Sequence, residues 1–131
     1  MKQLYTLLES ATFLRFPELY AALGIEESRF QSARQFNKAI AKRAPDIVLA
    51  EFRYGFGNNY AGVNISNLDV SLYALQRHAP QAKIMVLADK TEQPHIPKLK
   101  ALFRIDTVLD LPCSKQSLKS ALQQLNQEGM N

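Results

Sequence analysis

Ile47-Val48-Leu49-Ala50-Glu51-Phe52 is the stretch on which the fold turns. Four apolar residues run without a polar break, and two of them are β-branched. A half-buried strand alternates apolar and polar, whereas an unbroken run of this length suits a strand covered on both faces. A second run of the same kind, Ile84-Met85-Val86-Leu87, lies downstream, and Thr107 to Leu111 reads as a third strand. Upstream, Leu4 to Leu8 is a short apolar run that predicts a buried first strand. Ser28 to Ala33, polar except for Phe30 and Ala33, suits an edge strand.

Helical spacing fills the intervals. Phe13, Phe16, Leu19, Tyr20 and Leu23 recur on one face, with Gly24 as the C-terminal stop. Pro17 requires the regular helix to begin near Phe16. Phe36, Ala39 and Ile40 mark a second helix that must stop before Pro45. Leu68, Leu72 and Leu75 mark a third, ending near His78. Pro94 and Pro97 bound the start of a fourth carrying Leu99 and Leu102. Ser114 is an N-cap for a last helix with Leu118, Leu122 and Leu125 on one face. Strand and helix in strict alternation imply an α/β fold: a five-stranded parallel sheet with helices on both faces. Such folds place function at the carboxyl ends of the strands.

At 131 residues the chain is one expected domain, 1–131, and its 47% hydrophobic and 21% charged content is globular. No apolar run approaches the roughly 18 residues of a membrane span, and the N-terminus lacks the apolar core and cleavage site of a secretion signal. Cys113 is the sole cysteine, which excludes an internal disulfide and a cysteine-based metal site. The expected location is the cytoplasm. A net charge of +4 invites a nucleic-acid reading, but the basic clusters are separated by acids and no nucleic-acid-binding signature accompanies them.

The order and spacing of these elements resemble the receiver domain of two-component response regulators. Pro45-Asp46-Ile47-Val48-Leu49-Ala50-Glu51 resembles the family's third strand, Ala82-Lys83-Ile84-Met85-Val86-Leu87-Ala88 the fourth, and Thr107-Val108-Leu109-Asp110-Leu111-Pro112 the fifth. The resemblance spans nearly the whole chain and implies the flavodoxin-like strand order 2-1-3-4-5. It also implies a degenerate phosphorylation site. Glu51 stands where the family has its phospho-accepting aspartate, Ala88 where it has a Ser or Thr, and Leu111 where it has a lysine. Of the acidic pair that holds magnesium, only Glu9 is present. Val108 replaces the aromatic that receivers often use as a switch. The Leu111–Pro112 peptide is expected to be cis, as the family's Lys–Pro bond commonly is.

Leu111 and Ala88 supply neither charge nor hydrogen bond to a phosphoryl group. Losing one such electrostatic donor typically costs about 3–4 kcal/mol of transition-state stabilisation. The expectation is therefore a pseudo-receiver: not an enzyme, without metal or cofactor, acting as a regulatory protein–protein interaction module in bacterial signalling. Glu51 has two readings, a carboxylate imitating a phosphorylated aspartate, or a residual polar residue paired with a cation such as Arg53. With no output domain expected beyond the last helix, any effect would pass through a separate partner.

Two surfaces are candidates for binding. The loop Arg53 to Asn67, longer than the family's, interleaves glycines with aromatics, and Arg53, Tyr54, Phe56, Asn58, Asn59 and Tyr60 are its candidate contacts. This loop carries the rival function, a small-molecule or nucleotide sensor or a small enzyme; the other reading is a self-packed cover. Gly55-Phe56-Gly57 is not a dinucleotide fingerprint, because Tyr60 stands where the third glycine should be. The second surface follows from the resemblance: the face made by the fourth helix, fifth strand and fifth helix carries family dimer and effector contacts. Lys98, Lys100, Arg104, Lys115 and Lys119 fall there, for a homodimer or an acidic protein partner. Cys113, ahead of the last helix, reads as structural, although a helix dipole can lower a thiol pKa. His78 and His95 have no metal-ligand company in sequence.

Overall fold

The computed structural model describes residues 2–8, 16–54 and 66–129. Five strands form one sheet: β1 (Lys2–Leu7), β2 (Ile25–Phe30), β3 (Ile47–Glu51), β4 (Lys83–Asp89) and β5 (Thr107–Leu111). Every pairing is parallel and the spatial order is β2-β1-β3-β4-β5. The helices are α1 (Pro17–Ala22), α2 (Ala33–Lys42), α3 (Asp69–His78), α4 (Ile96–Leu102) and α5 (Lys115–Gly129). A 3-10 turn over Gln93–His95 leads into α4.

The period-two alternation of the central strands divides the core. Val48 and Ala50 of β3 and Ile84, Val86 and Ala88 of β4 point to one side. There they meet Phe36 and Ile40 of α2, Leu72 and Leu75 of α3, and Ile96 and Leu99 of α4. Ile47, Leu49, Met85 and Leu87 point to the other side. They meet Leu19 and Tyr20 of α1 and Leu118, Leu122 and Leu125 of α5. All five residues of β3 are buried, as the unbroken apolar run requires.

Two aspartates set the register at the amino ends of the strands. Asp46 donates its N–H to the Gln3 carbonyl and accepts the Gln3 N–H on its carboxylate at 2.7 Å. Asp106 repeats the arrangement with Ile84, again at 2.7 Å. Each carboxylate closes the amide that the neighbouring strand leaves open at its start.

The second strand corrects the sequence expectation. It runs over Ile25–Phe30, and Ser32 is the N-cap of α2, its hydroxyl accepting the Gln35 N–H. Glu26 and Glu27 disguise the strand's start in the sequence. At this edge they are tolerated, Glu27 pairing with Arg29 two residues on at 3.3 Å. Gly24 at φ 70 makes the turn from α1, and its carbonyl accepts the Lys2 N–H, which fixes Ile25 beside Lys2. Tyr5, Phe30 and Phe36 then pack edge to face, centroids 5.1 to 6.4 Å apart, tying the edge strand to β1 and α2. The fourth helix carries Leu99 and Leu102 as expected; Leu99 is buried, Leu102 is 50% exposed, and Phe103 closes the core at that end of α4.

Phe36 lies at the centre of this cluster, 1% exposed. Phe36→Ala should cost about 3–5 kcal/mol in urea unfolding, by transfer loss plus the cavity left behind.

Candidate functional site

The carboxyl ends of β3, β4 and β5 bring together the positions that the receiver resemblance singles out. Register alone places them: Glu51 sits beside Leu87, Ala88 beside Asp110, and Asp89 beside Leu111. Glu51 is 4% exposed, and its carboxylate accepts from the Arg53 guanidinium at 2.9 Å. A buried carboxylate needs such a partner, and the cation comes from two residues along the same chain. Asn67 braces the pair. Its side-chain N–H donates to the Glu51 carbonyl at 2.8 Å, its side-chain oxygen accepts the Arg53 N–H at 2.7 Å, and its own N–H meets the Arg53 carbonyl.

Ala88 is fully buried, and its carbonyl accepts from the Gln93 side-chain amide, which also donates to Asp110 at 2.8 Å. Leu111 is half-buried and packs with Leu109 and Cys113 against the α1–α5 side. The Leu111–Pro112 peptide is cis, as the resemblance implies. Val108 packs into the opposite core cluster, with α2, α3 and α4. Glu9 lies outside the described residues, as do Phe56, Asn58, Asn59 and Tyr60.

Magnesium wants near-octahedral oxygen ligation with carboxylates supplying charge. Glu51 gives a carboxylate already bonded to a guanidinium, while Ala88 and Leu111 give no donor at all. Among the described residues no three His, Cys, Asp or Glu side chains gather as a metal set. These side chains do not fit the ion.

Where the loop leaves β3, a cluster forms that the sequence conceals. Tyr54 pairs with Ser66 across the loop base, and its N–H donates to the Glu92 carboxylate at 2.7 Å. Its ring stacks flat on His95, centroids 3.9 Å apart at 7°. Lys98 reaches over that ring, 4.8 Å from its centre, and donates to the Tyr54 hydroxyl at 3.1 Å. Two candidates from separate surfaces, Tyr54 and Lys98, are thus in contact, and His95 joins them from the 3-10 turn. No periodicity signals a contact of this sort between residues more than 40 positions apart.

The remaining basic candidates do not converge. Lys100 and Lys115 are exposed and Lys119 is half-exposed. Arg104 lies beyond α4 with its guanidinium on the Pro80 and Ala82 carbonyls and 3.6 Å from Asp106. It fastens the connection between α3 and β4 at the opposite end of the sheet from Glu51. Cys113 is half-buried; burial, reinforced by the Asp110 charge, pushes its thiol above the ordinary range, against any activation by the helix behind it. Ser114 caps α5 as the sequence predicts, accepting the Ser117 N–H at 3.0 Å.

A scan against protein-family models finds no match, and a search of the curated proteins finds none either. Solved structures do match. The receiver domain of AraT, a response regulator from Geobacillus stearothermophilus, aligns with a TM-score of 0.73 at 12% identity, over 97% of this chain and 94% of that one. The signal receiver domain of an HD domain-containing protein from Pseudomonas fluorescens gives 0.73 at 18%, over 97% and 95%. A pilus assembly protein (cpaE) from Burkholderia thailandensis gives 0.58 at 21%, over 97% and 99%. The protein therefore has the response-regulator receiver fold, with the strand order that the sequence resemblance implies.

Asp89, at the end of β4, accepts from the Thr91 hydroxyl at 2.6 Å and from the Thr91 and Glu92 amides. The Thr91 hydroxyl above all, with those amides, holds its carboxyl below the ordinary range despite an opposing desolvation effect. Its contribution to stability is full above the ordinary carboxylate range and fades as pH falls through the depressed native value. Asp89→Asn should therefore lower the unfolding midpoint at neutral pH, and the gap to the unsubstituted chain should close on acidification, followed by circular dichroism.

Proposed function

We propose that this protein is a non-catalytic pseudo-receiver, a regulatory protein–protein interaction module of bacterial signalling that does not take up a phosphoryl group. The observation that carries the reading is the closed pair of Glu51 and Arg53 at the end of β3. A phosphoryl acceptor has to be a free nucleophilic carboxylate beside a metal and fixed donors. Here the carboxylate is engaged by a guanidinium, and the ends of the next two strands carry a methyl group at Ala88 and an isobutyl group at Leu111. The pairing favours a structural Glu51 over a mimic of the phosphorylated state, whose charge would have to be offered outward to a switch. Val108, folded into the core, offers no aromatic for such a switch.

Receivers act by presenting surfaces to other proteins, and a chain that keeps the fold without the phosphotransfer chemistry retains that role. No helix among the described residues is long and apolar enough to cross a membrane; a cytoplasmic location is part of the proposed reading. Homodimerisation through the α4-β5-α5 face, with Lys98, Lys100, Lys115 and Lys119 near it, is one form the contact takes in this reading.

Incubation with acetyl phosphate and Mg²⁺ should leave the intact mass unchanged, and beryllofluoride should leave the thermal midpoint unchanged. A phosphoryl adduct on Glu51 would overturn the proposal. A midpoint raised by several degrees with a nucleotide would replace it with the sensor reading of the 53–67 loop, since a bound ligand stabilises by RT ln(1 + [L]/Kd).

A further inference from the structure

The large hydrophobic side chains that stay exposed among the described residues are Tyr54, Val70, Tyr73 and Leu102, between 39% and 57% accessible. All four lie on one side of the molecule. Val70 and Tyr73 are one turn apart on α3, and Tyr73 packs edge-on against Phe103 at 4.9 Å. Phe103 follows Leu102. Lys98, one turn before Leu102 on α4, holds Tyr54. Between α3 and the end of α4 lies a cleft of about 130 Å³ walled by Leu72, Leu75, Ala79, Ile84 and Phe103. Isolated exposed apolar residues need no explanation, but a continuous apolar face beside a cleft marks a contact surface.

The exposed charges that α3 and α4 put on this face are basic, while Glu92, the acid beside Tyr54, is half-buried and accepts the Tyr54 N–H. Arg77, one turn beyond Tyr73, and Lys98 are exposed. The acid of α3, Asp69, is 1% exposed and bonded to Ser66, and α4 contains none. Lys100 lies about 200° around α4 from Lys98 and belongs to the other flank.

We infer that the α3–α4 face, centred on Tyr73 and Leu102, docks an amphipathic helical segment of a separate protein whose apolar stripe is flanked by Asp and Glu. Apolar anchors at one-turn spacing beside a cleft match a helix laid in a groove, and Arg77 and Lys98 match acids on that helix. A second copy is the poorer occupant: two-fold pairing sets this surface against itself, and its exposed helical charges, Arg77 and Lys98, are both basic. This inference rests on the interaction-module reading and moves its centre from the α4-β5-α5 face to the neighbouring one.

Selection of a displayed library of random 16-residue peptides on the immobilised full chain tests it without choosing the partner. Enriched peptides should carry apolar residues at helical spacing with acidic flanks and should shift backbone amides in 70–77 and 98–104. Leu102→Glu and Arg77→Glu, both at exposed positions and so compatible with an unchanged unfolding midpoint, should each weaken them at least tenfold. Raising salt from 50 to 300 mM should weaken them severalfold, and Lys119→Glu should have no effect. Peptides that are basic, or that ignore Leu102→Glu and Arg77→Glu, overturn the assignment. If their shifts map instead to Lys100, Lys115 and Lys119, this face is wrong while the module reading stands. No enrichment, or binding to phosphatidylglycerol vesicles in place of peptides, removes the acidic helix as occupant. Phosphorylation of the unliganded chain is what would remove the module reading itself.

Discussion

The structure depends on β3 and β4 being covered on both sides. An uninterrupted apolar run can be buried only if helices pack above and below it, and the connections that put them there are parallel crossovers. Everything at the strand ends follows. Register sets Glu51, Ala88 and Leu111 at neighbouring strand ends whatever their side chains are, because it is fixed at the far end of the sheet by Asp46 and Asp106. The scaffold that positions a phosphotransfer site is thus independent of the chemistry of that site. In the proposed reading, this is how a chain without the acceptor, the hydroxyl and the lysine keeps the geometry.

Polar contacts tie these strand ends together. Arg53 neutralises Glu51, the Gln93 amide bridges the ends of β4 and β5, and Asn67 fastens the base of the loop to β3. Each of these contacts satisfies a group that burial would otherwise leave costly. Together they fasten the described strand ends, and in the proposed reading the helical faces are then the surfaces that carry function.

Where the signal was local or strictly periodic, the sequence was sufficient. The apolar runs identified β3, β4 and β5, Ser114 marked the start of α5, and Arg53 stood close enough in sequence to Glu51 for the pair to be foreseen. The limits of β2 were not legible, because an edge strand tolerates the acids that read as loop, and Gly24 rather than Ser28 sets its start. The fourth helix was legible from Leu99 and Leu102, but not that it ends at Leu102 and that Phe103 takes the inward place. Within the candidate site, Tyr54 and Lys98 were each visible as residues of interest. Their contact, and the part played by His95, depends on how the β3 exit and the turn before α4 meet in space. Arg104 was grouped with the lysines by charge, and its carbonyl partners lie in a different connection.

The two outer strands bear on how this protein can assemble. Glu26, Glu27 and Arg29 line β2, and β5 is only five residues long with Asp110 exposed. Charged, abbreviated borders discourage another chain from adding its backbone to the ladder. Such borders disfavour lateral growth of the sheet, and in the proposed reading recognition is then written in side chains on helices, where it can be selective, and not in main-chain pairing, where any extended peptide would serve.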